Sequence, residues 1–202
     1  MNDSSKAKIL EYAKSTGSAV STYFTPEQQG SPVPFNNIVT TSMTNFNQLF
    51  YYSFSFNKPI SDWDTSNVTI MSNMFTYASV FNQDISKWNT SKVTTMAGMF
   101  QNAINFNQNI GGWNVSKVQH MNSMFQMPST DPWAAFNNGG SPDIGNWNTS
   151  MVENMASMFQ NAKSFNQNIS SWIVDQVTTW TNIFGNALSF NLHNNAPPKF
   201  RV

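Results

Sequence analysis

The chain has 202 residues and no formal net charge, and only 10% of its residues are charged, against about 25% in an average domain. Such a neutral surface excludes the electrostatic footprint of a nucleic-acid-binding protein. The chain has no cysteine, which excludes disulfides and thiolate chemistry.

Residues 1–34 do not share the pattern of the rest of the chain. Ser4 or Ser5 is placed to cap a short helix over about residues 6–14, and Gly17 would end it. We interpret this segment as a non-repeat N-terminal arm or cap, either covering the first coil or docking on a neighbouring subunit. No apolar run has the length of a signal peptide or a membrane span. We therefore favour a virion-associated, assembly-associated or intracellular location over classical secretion, and leave the localisation itself open.

Residues 35–190 repeat with a step of 25 residues. A Phe-Asn pair opens each copy, and an Ile and a Trp follow four and seven residues later. A Val and the pattern Met-x-x-Met-Phe come next. We predict that the Trp and the last Phe of each copy form the structural core: Trp63, Trp88, Trp113, Trp147, Trp172, Phe75, Phe100, Phe125, Phe159 and Phe184.

Within a copy, the Val, Met and Phe residues have the spacing of one helical stripe. The residue three positions after each Trp accepts hydrogen bonds and is predicted to cap that helix. The capping column is Ser66, Ser91, Ser116, Ser150 and Asp175. Residues 60–65 and their equivalents are too short for a helix and are predicted strands. The sequence thus predicts an α/β repeat solenoid, leucine-rich-repeat-like, with about 25 residues per coil, short parallel strands on one face and short helical turns on the other.

The insertion at residues 126–145 interrupts the repeat. Insertions in repeat proteins lie on loops and often carry binding residues. We therefore name Trp133, Pro132, Asp131 and Phe136 as candidate interaction residues, with the alternative that Trp133 folds back over the irregular edge. Residues 191–202 are predicted to be a C-terminal cap or tail.

The repeated Phe-Asn, Ile, Trp and Met-Phe columns resemble the repeat of the BspA-like bacterial surface protein family, DUF285. That family is a divergent relative of leucine-rich repeats, with members among bacterial surface lipoproteins and proteins of protists and large viruses. The resemblance implies a solenoid used for adhesion or interaction. It carries over no catalytic residue.

The residues themselves indicate no catalytic, cofactor or metal site. His120 and His193 lack a ligand partner at suitable spacing, and the carboxylates are scattered. We predict a non-enzymatic protein-interaction or structural solenoid, a component of a larger cell-surface or large-virus shell assembly. The alternative is an adhesin-like module that binds a host protein or glycan. A weaker third alternative is a Thr ladder, including Thr65 and Thr90, that binds an ordered surface.

Overall fold

The computed structural model describes residues 3–14, 34–130 and 134–201. It has two α-helices, α1 (Asp3–Lys14) and α2 (Leu192–Asn195). Short 3₁₀ helices lie at Phe35–Asn37, Asn138–Gly140, Pro142–Asn146 and Pro198–Phe200. The described residues contain no β-strand. The N-terminal helix predicted from the sequence is present, and it begins three residues earlier than expected.

The repeats wind into stacked coils that are joined by isolated parallel bridges. The bridged residues are Asn45, Ile70, Thr95, His120, Asn154 and Thr179. We use the name turn ladder for the six segments that begin at these residues: 45–52, 70–77, 95–102, 120–127, 154–161 and 179–186. In residues 70–77, four alternate backbone N–H groups, beginning with that of Met71 and ending with that of Tyr77, donate to carbonyls of the next coil at 2.8–3.1 Å.

The turn ladder shows that the predicted helices are wrong. Asn73 and Tyr77 have φ angles of 55° and 61°, and equivalent positive angles recur in the other segments, with the exception of the position of Met127. The N–H of Met74 bonds to the carbonyl of Met71, three residues back. A right-handed helix requires a negative φ at every residue, so the Val, Met and Phe spacing belongs to consecutive turns.

The predicted strands and helix caps are wrong for related reasons. Residues 60–65 form turns, and the parallel bridges lie in the segment that we had assigned to the helix. The predicted α/β repeat solenoid with parallel strands is therefore replaced by coils of turns with single-residue bridges. No helix follows the residues that we predicted as caps, so they cap nothing. These residues are Ser66, Ser91, Ser116, Ser150 and Asp175.

An Asx turn holds the bend at which we had predicted the helix caps. Asn89 Oδ1 accepts the backbone N–H of Ser91 at 3.1 Å, and Asp64 Oδ1 accepts that of Ser66 at 2.9 Å. The side chain of the residue two positions before each Ser therefore accepts a hydrogen bond from the backbone N–H of that Ser. The acceptor column, rather than the Ser column, orders this corner of the coil.

Aromatic rings stack along the interior of the coils. The ring centroid of Phe75 lies 3.9 Å from that of Phe81 in the same coil and 5.6 Å from that of Phe100 in the next coil. In both pairs the ring planes are within 10° of parallel. The predicted core residues are buried, with the exception of Phe184 in the last segment, which is half-buried. Burial of large rings in every coil supplies the main driving force for stacking.

Buried side chains also tie each coil to both of its neighbours. The indole N–H of Trp113 donates backwards to the carbonyl of Ile85 at 3.1 Å. Thr65 donates forwards to the carbonyl of Asn89 at 3.0 Å, and Thr90 makes the equivalent bond to Asn114. Both Thr residues are 1% exposed, so the Thr column cannot be the surface that the third alternative requires.

An Asn column forms a further ladder along the stack. The side-chain oxygen of Asn57 accepts the backbone N–H of Asn82, and that of Asn82 accepts the N–H of Asn107, both at 3.0 Å. Each Asn therefore satisfies a backbone donor of the following coil. This column has a structural role and offers no spare acceptor for a ligand.

The two ends of the stack are covered to different extents. In α1, Ile9 is fully buried in the same core as the first coil. At the other end, Lys199 donates to the carbonyls of Val174 and Val177 at 3.0 and 2.7 Å, and Phe200 is buried. The tail thus covers the Val174–Val177 half of the last coil.

Candidate functional site

Of the four residues predicted to bind a partner, the structure describes Phe136 alone. Trp133, Pro132 and Asp131 lie outside the described residues. Phe136 is 1% exposed and stacks on Phe125 at a centroid distance of 3.8 Å. Our interpretation of Phe136 as an interaction residue is therefore wrong, because it occupies the Phe column of its coil.

The described part of the insertion is bound to the stack. Asn138 is fully buried, and its side-chain oxygen accepts the backbone N–H of Ile110 at 2.8 Å. Asn107 accepts the backbone N–H groups of Asn137 and Gly139 at 2.8 and 2.9 Å. These contacts make residues 137–139 part of the scaffold.

An exposed aromatic cluster lies instead on the first two coils. Tyr51, Tyr52 and Phe54 are 38%, 47% and 55% exposed. Tyr52 stacks on Tyr77 at 4.5 Å with 10° between the planes, and packs edge-on against Tyr51 at 4.4 Å. Phe54 contacts Tyr52 at 5.6 Å. We call Tyr51, Tyr52, Phe54 and Tyr77 the tyrosine cluster.

The backbone of the tyrosine cluster is in an unfavourable conformation for its side chains. Tyr52 and Tyr77 have φ angles of 56° and 61°. The equivalent residues in three later coils are Asn102, Asn161 and Asn186, with φ angles of 57–60°. Asn tolerates the left-handed region far better than an aromatic residue does. The two Tyr residues therefore need an explanation beyond the requirements of the turn ladder.

The tyrosine cluster combines aromatic rings with phenol hydroxyl groups. A side-chain hydrogen bond with Tyr51 raises the pKa of the Tyr52 phenol above its ordinary value. The Tyr52 phenol therefore keeps its proton at neutral pH and offers one O–H donor beside an apolar ring. A surface of this kind can bind apolar and hydrogen-bonding groups together.

A shallow polar groove continues from Tyr77 along the stack. Its lining includes Gln101, Asn102, Gln126 and Gln160, and contains no charged side chain among the described residues. The amide of Gln101 donates to Gln126 at 2.8 Å, and that of Gln126 donates to Gln160 at 2.8 Å. The groove therefore combines one aromatic wall with a row of oriented amides.

The structure gives no indication of a metal centre or a membrane helix in the described residues. No three His, Asp or Glu side chains of that part of the chain are grouped closely enough to hold a metal ion. None of its helices is long and apolar enough to cross a membrane. The chemistry on the surface is that of Tyr, Asn and Gln.

The sequence did contain a signal for the tyrosine cluster. Tyr52 and Tyr77 stand two residues after the last Phe of their copies, where three later copies have Asn. The change from Asn to Tyr in one column marks the first two coils as different. Our sequence reasoning missed it because the column was assigned to a helix, in which Asn has no special role.

A family model described as "Mycoplasma protein of unknown function, DUF285" matches residues 19–132 and 133–196. The match confirms the resemblance that the repeat columns indicated. No curated protein and no solved structure matched the chain.

Proposed function

This chain belongs to the DUF285 family, and from that premise we propose that it is a non-enzymatic protein-interaction and structural module, a component of a larger surface or shell assembly. The contact surface is the tyrosine cluster. The observation that carries the proposal is the pair Tyr52 and Tyr77, which are aromatic residues kept at left-handed positions that Asn fills elsewhere.

Two physical arguments support the tyrosine cluster as the contact surface. Tyr is enriched in interface cores because it combines a large apolar area with few rotatable bonds. Exposed rings on an otherwise neutral, amide-rich surface also lose contact with water when a partner covers them. The partner is a protein neighbour in the assembly or a host receptor.

The test uses a photo-crosslinking residue, p-benzoylphenylalanine, placed at Phe54 in the protein expressed in its source cells. Ile173 is 48% exposed and is the matched control position. We expect a crosslinked protein adduct from position 54 alone. The double variant Tyr52→Asn, Tyr77→Asn should abolish that adduct, because it removes the rings and retains the backbone. Equal crosslinking from both positions, or an adduct unaffected by the double variant, would contradict the proposal.

A second candidate function, an adhesin-like module that binds a glycan, is favoured by the groove beside Tyr77. Sugars stack their C–H faces on aromatic rings and exchange hydrogen bonds with amides, and the groove offers both groups without charge. The test is an array of neutral and acidic glycans probed with the wild-type chain and with Gln126→Ala. We expect binding to neutral glycans that Gln126→Ala weakens; an array without signal would exclude this candidate.

A further inference from the structure

The last segment of the turn ladder differs from the five before it. In each earlier segment, four alternate backbone N–H groups donate to the next coil. Those of Met155, Ser157, Phe159 and Asn161, for example, reach carbonyls of residues 179–185 at 2.7–2.9 Å. The equivalent N–H groups of the last segment, on Trp180, Asn182, Phe184 and Asn186, donate no hydrogen bond to any described residue.

Beside these four N–H groups, incompletely covered apolar side chains alternate with the exposed polar side chains of Asn182 and Asn186. Phe184 is half-buried, whereas the equivalent Phe159 is fully buried beneath the next coil. A pocket at this end is lined by Trp180, Ile183, Phe184, Leu192 and Phe200 among others. We call this surface, the four N–H groups with the pocket, the donor edge.

The tail leaves the four N–H groups of the donor edge without an acceptor, although its Phe200 packs against the Trp180 and Phe184 rings at centroid distances of 6.1 and 6.3 Å. Its Lys199 bonds to carbonyls of Val174 and Val177, and lies 5.1 Å from the Trp180 ring centroid. The donor edge therefore has donors and apolar surface at the place where every earlier coil receives its neighbour. The interface that it continues is already repeated five times within the chain.

We propose that the donor edge binds a repeat coil of another polypeptide, whose backbone carbonyls accept from Trp180, Asn182, Phe184 and Asn186. This surface is separate from the tyrosine cluster, and the inference does not rest on the proposed function. The mode is main-chain addition to an open edge, in which backbone bonds supply affinity and side-chain pockets supply specificity.

The direction of the hydrogen bonds selects a repeat coil over an ordinary β-strand. The edge of a regular strand presents N–H and C=O groups in alternation, so it offers acceptors to only part of the donor edge. A turn-ladder segment presents four carbonyls on one side, as residues 179–185 do towards residues 155–161. Its Met and Phe side chains would also cover Phe184 as residues of the next coil cover Phe159.

The probe is a synthetic peptide of residues 93–106 of this chain, VTTMAGMFQNAINF, which contains one complete turn-ladder segment. It is added to the ¹⁵N-labelled full chain, and amide hydrogen exchange is followed by NMR, with a scrambled peptide as the control. We expect saturating peptide to slow exchange at positions 180, 182, 184 and 186 by about tenfold. Unchanged rates at these amides, or equal slowing by the scrambled peptide, would overturn the proposal.

Two leucines supply matched variants. Leu192 lines the pocket and is 38% exposed, whereas Leu188 is 76% exposed and lies outside the pocket lining. A charged side chain at an open edge opposes pairing. Leu192→Lys should therefore abolish the slowing by the peptide, and Leu188→Lys should leave it unchanged. Equal behaviour of the two variants would place the peptide elsewhere.

A tandem variant keeps the test decisive if the short peptide is too flexible to bind. Duplicating residues 161–185 supplies one further coil covalently. In that protein, the original amides of Trp180, Asn182 and Phe184 should exchange as slowly as those of Met155, Ser157 and Phe159. Fast exchange there would show that the edge does not accept a repeat coil. Slow exchange in the tandem protein without any peptide effect would overturn docking by a separate polypeptide.

Discussion

The first two coils and the later coils share one backbone but present different surfaces. At the second left-handed position of the turn ladder, Tyr52 and Tyr77 occupy the first two coils, and Asn102 and Asn161 occupy two later ones. Their φ angles agree within 5°. These four coils therefore keep the same backbone at this position, whereas the side chain is open to selection for binding.

Backbone strain and aromatic stacking oppose each other at this position. A left-handed backbone costs an L-residue about 1–2 kcal/mol, and Asn is the exception because its short polar side chain bonds locally. A stacked aromatic pair returns about 0.5–1.5 kcal/mol. The stacking of Tyr52 on Tyr77 thus offsets part of the strain of the two residues, whereas a lone Tyr at this position would have no such compensation.

The largest expected effect tests whether the two regions share the same interior. Trp113 is 3% exposed, stacks on Trp88 at 6.4 Å and bonds to the carbonyl of Ile85. Trp113→Ala should lower the free energy of unfolding by about 3–5 kcal/mol, measured by urea denaturation. Trp63→Ala, in the tyrosine-bearing part of the stack, should cost a similar amount. A melting temperature for either variant close to that of wild type would contradict the shared interior.

The second prediction exchanges the side chains of the left-handed column. Tyr77→Asn should change the free energy of unfolding by less than about 1 kcal/mol, because relief of strain opposes the lost stacking. Asn161→Tyr should cost about 1–3 kcal/mol, because no stacked Tyr offsets the strain and the bond from Asn161 to the carbonyl of Met127 is lost. Thermal melts of both variants measure the difference. If Tyr77→Asn and Asn161→Tyr were equally destabilised, the two regions would not differ in their preference for Tyr or Asn at this position.

The sequence was sufficient to recognise the repeat and the family but not the local conformation. Bulky residues such as Trp88 recur at one step, and only stacking coils bury such columns together. The spacing of Val68, Met71 and Met74 misled us, because three-residue steps suit consecutive turns as well as a helix. Gly98 and Asn102 favour the left-handed region and were the available warning. The donor edge was beyond sequence reasoning, because it depends on which backbone groups of the last coil the tail leaves without an acceptor.

The smallest expected effect concerns a column in which a carboxylate in one coil corresponds to an amide in the next. Asp84 accepts the backbone N–H of Ser86 at 2.9 Å, and Asn109 accepts that of Gly111 in the same way one coil later. Hydrogen bonds from the backbone and side chain of Ser86 hold the pKa of Asp84 below its ordinary value. A carboxylate whose pKa is lowered by folding stabilises the protein above its unfolded pKa, and this contribution is lost as the pH falls through the folded value.

The melting temperature of the wild type should therefore fall as the pH drops below about 4, where Asp residues of an unfolded chain take up protons. Asp84→Asn keeps the acceptor and removes the charge, so it should melt slightly below the wild type at pH 7, where the charge contributes, and lose less stability than the wild type as the pH falls. Asp84→Ala is the control, because it removes the acceptor and should be destabilised at both pH values. If Asp84→Asn melted below the wild type at pH 7 by as much as Asp84→Ala does, the turn would require the carboxylate itself. The equivalence of Asp84 and Asn109 across neighbouring coils would then fail.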